Sequence, residues 1–134
     1  MQSEFKGFFN NLALGKLAFP NCKSCGAFHW YPMKYCPHCQ SVNIHWQPVG
    51  GIGRVYSWTV VRHSFNAVHT LPLPYVVALL EFEDAPNVRL ITNLVDTAPE
   101  SLAIGMKVEP ILTGLNEGEP PVKVIFRKAR VEII

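Results

Sequence analysis

The chain has 134 residues, room for one domain or for one domain with a small appendage. Hydrophobic residues make up 49% and charged residues only 16%, against a usual quarter. This excludes a highly charged disordered chain and leaves apolar surface to place against a partner. The formal charge of +2 is too small to argue for a strongly basic nucleic-acid field. No apolar run reaches the roughly 20 residues of a membrane helix, and no secretory leader is present, so the cytoplasm is the expected compartment.

Taken in order, Phe5, Phe8, Phe9 and Leu12 fall at i, i+3, i+4 and i+7, one face of a helix over residues 3–14. Ser3 is the expected N-cap and Gly15 the stop, while Gly7 costs about 1 kcal/mol against alanine. Such a stripe either covers the protein's own core or docks on another subunit. The docking reading makes Phe5, Phe8, Phe9 and Leu12 interface residues, together with the aromatic span Phe28, Trp30 and Tyr31. A short strand, Leu17–Phe19, leads into the next motif.

That motif carries all four cysteines as two C-x-x-C pairs, Cys22/Cys25 and Cys36/Cys39, with ten residues between them. Four thiolates at about 2.3 Å complete a tetrahedral zinc and leave no open position, so the metal holds structure and does no chemistry. The gap is shorter than the common roughly 15–20 residues, so the ribbon is compact. Gly26 follows the first pair, where positive φ is often needed; Gln40 follows the second, where glycine is more comfortable. Disulfides need an oxidising compartment, a redox pair explains one C-x-x-C and not two, and an iron–sulfur cluster usually has a denser run. His29 and His38 lie near the sulfurs in sequence and are expected as surface or supporting residues.

Gly50, Gly51 and Gly53 mark a flexible break, after which the pattern becomes β. The first expected strand, 54–62, alternates Arg54, Tyr56, Trp58, Val60 and Arg62 with Val55, Ser57, Thr59 and Val61. A loop follows over 63–74. The second strand is Tyr75–Phe82, apolar enough at its start to be covered on both faces. After a turn at 84–87 comes a third strand, Val88–Val95. Thr97 and Glu100 then form a capping box for a short helix that Gly105 stops. Strands over 106–112 and 122–131 flank a polar turn at 116–121. Five strands with a helix between the third and fourth is the order of an OB-fold barrel, with a small sandwich as the other arrangement. The fold expected is mainly β: an N-terminal helix (1–16), a rubredoxin-like zinc ribbon (17–49) and a five-stranded OB barrel (50–134).

Together these motifs resemble the acyl-CoA-associated proteins that join a rubredoxin-like zinc ribbon to an OB fold, and the resemblance covers nearly the whole chain. It rests on the helix, C-K-S-C-G, C-P-H-C, and G-I-G-R-V-Y-S-W-T-V-V at 51–61. P-Y-V-V-A-L at 74–79, L-I-T-N-L-V-D at 90–96, I-G-M-K-V at 104–108 and F-R at 126–127 complete it. Gln40, in place of glycine, and Lys128, in place of proline, depart from the pattern. The resemblance implies a non-catalytic companion of an enzyme acting on CoA thioesters, a thiolase, a condensing enzyme or a hot-dog hydratase. It further implies a hetero-oligomer that helps hold the acyl-CoA. Cations for the CoA phosphates and apolar walls for its acyl chain would come from Arg54, Arg62 and Lys128 and from Trp58 and Phe65.

Two further functional classes have partial support in the sequence. A single-strand nucleic-acid module would use Tyr56 and Trp58 flanked by Arg54 and Arg62, but near-neutral charge in the metal-bound form opposes it. An autonomous enzyme needs a nucleophile beside a base; the cysteines are committed, and the sequence has no G-x-S-x-G elbow and no phosphate loop.

Overall fold

A computed structural model describes residues 4–63, 73–114, 120–121 and 123–129. The elements are α1 (Lys6–Ala13), β1 (Leu17–Cys22), β2 (Ile44–Val49), β3 (Gly53–Val61), β4 (Tyr75–Phe82), β5 (Ala85–Val95), β6 (Lys107–Thr113) and β7 (Lys123–Lys128), with a 3-10 turn at Pro99–Ser101. No helix among the described residues is long and apolar enough to cross a membrane.

The helix begins later than expected. Its N-cap position is Phe5, with no side-chain cap, and the expected cap Ser3 lies outside the described residues. Gly15, at φ +82°, closes the helix. Its amide bonds the Leu12 carbonyl at 2.8 Å, and the Lys16 amide bonds that of Asn11 at 2.9 Å, the paired C-terminal bonds that a left-handed residue permits. Phe8 and Leu12 are buried in the chain's own core, whereas Phe9 is 47% exposed and Phe5 half-buried. The helical stripe is therefore divided between core and surface and is not a single docking face. Gly7 has a steric cause: a Cβ there would overlap the indole of Trp46 on β2.

β1 and β2 form an antiparallel ribbon, Leu17 facing Val49 and Cys22 facing Ile44. β2 has no counterpart in the sequence reading, because His45, Gln47 and Pro48 dilute its β signal. The expected flexible glycine break is instead a short packed junction: Gly51 and Gly53 are buried, and a Cβ at Gly51 would press against Pro110 and meet Leu17. The remaining strands close into the five-stranded barrel expected, in the order β3-β4-β5-β7-β6. β5 and β7 pair in parallel only at Leu94↔Phe126 and Val95↔Arg127, and the other neighbours are antiparallel.

β4 alternates cleanly, with Val76, Ala78, Leu80 and Phe82 inside and Tyr75, Val77 and Leu79 half-exposed, so it is covered on one face and not two. A bulge between Val55 and Ser57 resets β3. Trp58 and Val60 then join Val55 in packing on the core, away from the outward Arg54, and the strict alternation expected of this strand fails there. The hairpin between β4 and β5 turns at Glu83–Asp84, with Phe82 facing Ala85, so the turn is two residues and not four, and β5 starts three residues earlier than expected. The capping box also does not form. Ala98 takes the cap position, and the Thr97 hydroxyl bonds the Val95 carbonyl at 2.9 Å and accepts the Lys128 amide at 3.3 Å. Most of the expected 63–74 loop, including Phe65, and part of the polar turn lie outside the described residues.

Helix propensity alone makes Gly7→Ala stabilising by about 1 kcal/mol, but the Trp46 indole occupies the space. Chemical denaturation should show Gly7→Ala destabilising. Phe8→Ala should cost about 3–5 kcal/mol, and Phe9→Ala far less. A stabilised Gly7→Ala variant would contradict this packing.

Candidate metal centre and barrel surface

The two C-x-x-C turns are built alike. Gly26 donates its amide to the Cys22 carbonyl at 2.7 Å, and Gln40 donates to the Cys36 carbonyl at 2.9 Å. Cys22 and Cys36 in turn donate to the carbonyls of Ala27 (2.9 Å) and Ser41 (2.7 Å). Each turn needs positive φ at its fifth position, supplied by Gly26 at +80° and by Gln40 at +71°. Glutamine in that region costs about 1–2 kcal/mol, and the same backbone bonds hold it there. The Ser24 and Ser41 hydroxyls meet at 2.8 Å and tie the two knuckles together.

All four Sγ atoms lie within 4.8 Å of one another. Cys22 and Cys39 are 3.6 Å apart, and Cys25 and Cys36 are 3.7 Å apart. A tetrahedron with zinc–sulfur bonds of about 2.3 Å has edges of about 3.8 Å, so the sulfurs stand where a zinc ion fits. The cluster is a closed four-thiolate site for structural zinc, and the cysteines are not paired as disulfides. His29 and His38 are not members of it.

Ionisation explains why a cation is required. The Cys25 amide holds the Cys22 thiol down at about 6 against the cost of burial, helped by the Ser24 amide. The Ser41 amide favours the Cys39 thiolate, yet burial and the neighbouring sulfurs push that thiol up to about 12. Four thiolates therefore coexist only around a dication, and loading zinc releases protons.

His29 was expected at the surface or in support of the metal, and it is neither. It is 4% exposed, and neither ring nitrogen has a hydrogen-bond partner among the described residues. Burial, then the charge of His38, lowers its pKa, so the ring is neutral when folded. Its main chain is held by the His29 amide on the Pro20 carbonyl at 3.1 Å.

The cations proposed for CoA do not converge. Arg54 donates to the Gly105 carbonyl at 3.2 Å and lies 3.9 Å from the Glu83 carboxylate. Through Gly53↔Val108↔Lys128, the exposed Lys128 sits at the same barrel end as Arg54. The exposed Arg62 lies past the other end of β3, roughly 26 Å along the strand from Arg54 at about 3.3 Å per residue. Trp58 packs on the core, and its strand neighbours Ser57 and Thr59 line a shallow apolar depression of about 250 Å³ with Val77, Leu79 and Ile91 on the outer sheet face. Sequence reasoning missed Arg89, whose guanidinium lies 4.1 Å over the Tyr56 ring, because a contact between residues so far apart in the chain leaves no local spacing signal. It also missed the exposed Leu14, Met33 and Tyr35, which have no periodic pattern.

Two predictions follow from this chemistry. Protein purified without added metal should contain one zinc per chain, and Cys36→Ser should unfold the ribbon; one equivalent of iron would contradict the assignment. The unfolded ring titrates near 6.5, and the folded ring stays neutral. The unfolded state therefore gains protons as pH falls through that value, and stability drops. Replacing the ring by His29→Leu removes two unpartnered buried nitrogens. It should stabilise by about 1–3 kcal/mol near neutrality and by more at pH 5.5, read as the difference from wild type in urea melts. A variant no more stable at the lower pH would contradict the neutral assignment.

Residues 9–43 match the family description "ChsH2, rubredoxin-like zinc ribbon domain", and residues 46–113 match "ChsH2, C-terminal OB-fold domain". A probable enoyl-CoA hydratase alpha subunit of Thermomonospora curvata is 35% identical over 85% of the chain, which spans about a third (34%) of that relative. A DUF35 domain-containing scaffold protein of Methanocaldococcus jannaschii is 32% identical, with 72% of this chain and 67% of the relative covered. Among solved structures, a chain of an Ltp2-ChsH2(DUF35) aldolase superposes with a TM-score of 0.81 at 30% identity, covering 96% of both chains. With both family descriptions matched in order along its length, the chain belongs to the ChsH2 family of zinc-ribbon and OB-fold proteins.

Proposed function

We propose that the chain is a non-catalytic scaffold subunit. It binds and steadies a cytoplasmic enzyme acting on CoA thioesters, of the thiolase or condensing type or a hot-dog hydratase, and helps hold the acyl-CoA. The observation that carries this reading is the distribution of exposed apolar side chains. Phe9, Leu14, Tyr31, Met33 and Tyr35 are all exposed on the helix and ribbon, with half-buried Phe5 packed at 5.7 Å from Trp30 and 5.9 Å from Tyr31 beneath them. Aromatic and methionine side chains on a metal-held support form an anchor surface suited to a partner. The names of the relatives, a scaffold protein, a hydratase subunit and an aldolase complex, support the same reading. So does the chemistry: the groups with displaced pKa among the described residues, Cys22, Cys39 and His29, are ribbon residues. The nucleic-acid alternative is weakened, since Arg89 covers Tyr56, Trp58 packs on the core and Arg54 is engaged with Gly105.

The docking residues are revised accordingly to Phe9 and Tyr31, with Met33 and Tyr35 beside them; Phe8 and Leu12 serve the core. Co-expression of the Phe9→Ser/Tyr31→Ser double variant with the enzyme subunit from the same host tests this. The variant should keep its zinc and its melting curve, lose the partner on co-purification, and show no thioester turnover alone; each anchor is expected to contribute about 2 kcal/mol or more. Retention of the partner at wild-type yield, or turnover by the partner-free chain, would overturn the reading.

A further inference from the structure

The four sulfurs are not equivalent. Each knuckle offers one buried cysteine, Cys22 or Cys36, and one exposed cysteine, Cys25 or Cys39. The Cys36 sulfur also accepts the His38 amide at 3.3 Å, which withdraws electron density from it. Sulfurs approach one another across the knuckles, Cys22 to Cys39 at 3.6 Å and Cys25 to Cys36 at 3.7 Å. Each of these contacts joins an exposed sulfur to a buried one.

We propose that the ribbon is an oxidation site for peroxides, at which zinc is exchanged for two disulfides across the knuckles, Cys22–Cys39 and Cys25–Cys36. Four thiolates around one dication leave a net negative cluster, and the exposed sulfurs are its accessible nucleophiles. The Cys39 thiolate attacks one oxygen of hydrogen peroxide. A sulfur–oxygen bond forms, the oxygen–oxygen bond breaks, and the departing hydroxide takes a solvent proton to become water. The Cys22 sulfur, 3.6 Å away, then attacks the sulfenic sulfur. The disulfide bond forms, the sulfur–oxygen bond breaks, and the second hydroxide leaves as water after protonation. The sulfur pair has lost two electrons and the peroxide has gained them. The cluster now has two fewer ligands, and the metal leaves as the aqueous dication without changing its own oxidation state. Cys25 and Cys36 consume a second peroxide in the same way.

The pairing has a structural consequence. Bonds across the knuckles join chain positions that the metal itself ties together. The backbone bonds of Gly26 and Gln40 keep each loop closed, and the Ser24–Ser41 contact ties the two together. Bonds within each C-x-x-C would instead leave the knuckles untethered. The oxidised ribbon therefore stays closed and reversible, and keeps its exposed aromatic face.

The test uses the full zinc-loaded chain titrated with hydrogen peroxide. Zinc release is read with a chromophoric chelator, thiols are counted, and disulfides are mapped by peptide mass spectrometry. About two peroxides should be consumed per zinc released, with all four thiols lost and the 22–39 and 25–36 peptides recovered. Dithiothreitol plus zinc should restore the starting spectrum. Limiting iodoacetamide on the unoxidised protein should label Cys25 and Cys39 before Cys22 and Cys36, a measurement that needs no variant able to fold without a ligand. Disulfides within the C-x-x-C pairs, sulfonic acids as the main product, zinc retained while peroxide is consumed, or first labelling at the buried cysteines would each overturn the proposal.

Discussion

Everything in this fold meets at Phe19. It is fully buried on the one ribbon strand that faces the helix, the knuckles and the barrel. Its ring lies 6.4 Å from Phe8 of the helix, 5.3 Å from Trp30 of the ribbon and 5.3 Å from Phe82 of the barrel. Phe82 continues the chain of rings to Phe126 at 5.9 Å, on the far barrel strand. Each such pair adds about 0.5–1.5 kcal/mol beyond the area it buries, and the aromatic column gives helix, ribbon and barrel one continuous core. The metal fixes the far end of the same ribbon. Zinc and Phe19 thus act on opposite ends of a single element, one by coordination and the other by packing.

That division separates the polar groups of the barrel from the exposed apolar side chains of the helix and ribbon. Three arginines of the barrel are occupied within the chain. Arg127 bonds Glu109 at 2.8 Å, Arg54 bonds the Gly105 carbonyl, and Arg89 stacks on Tyr56. On the helix and ribbon Phe8, Phe19 and Trp30 pack in the core, while Phe9, Tyr31 and Tyr35 are exposed. A closed four-thiolate site supplies rigidity and leaves no open coordination position for a substrate.

The features legible in the sequence were those in which spacing is itself the chemistry. Two C-x-x-C pairs could be read as a tetrahedral site because the ligand geometry demands that arrangement. Tyr75–Phe82 could be read as a strand, with the right limits, because an unbroken apolar run lies between Pro74 and the turn residue Asp84; which of its faces is covered could not. What escaped was set by contacts between distant residues. Gly7 looks like a weak helical position until Trp46, from another element, is seen to fill the space above it. The Phe8/Phe9 stripe gives a helical face without saying which ring meets Phe19. The bulge at Tyr56 has no signature among β-formers, yet it decides that Trp58 turns inward and Arg54 does not. The second ribbon strand hid behind Pro48, tolerated because an edge strand gives up an amide at little cost.

The central claim is that the metal-held ribbon and the barrel share one core through Phe19 and are not two separable bodies. Amide hydrogen exchange of β4, with zinc bound and after chelation, tests it most directly. The account predicts that removing zinc speeds exchange in the ribbon and also along Val76–Phe82, because loss of the ribbon strips the Phe19 ring from Phe82. Protection of β4 unchanged by chelation, with only the ribbon and helix opening, would contradict it.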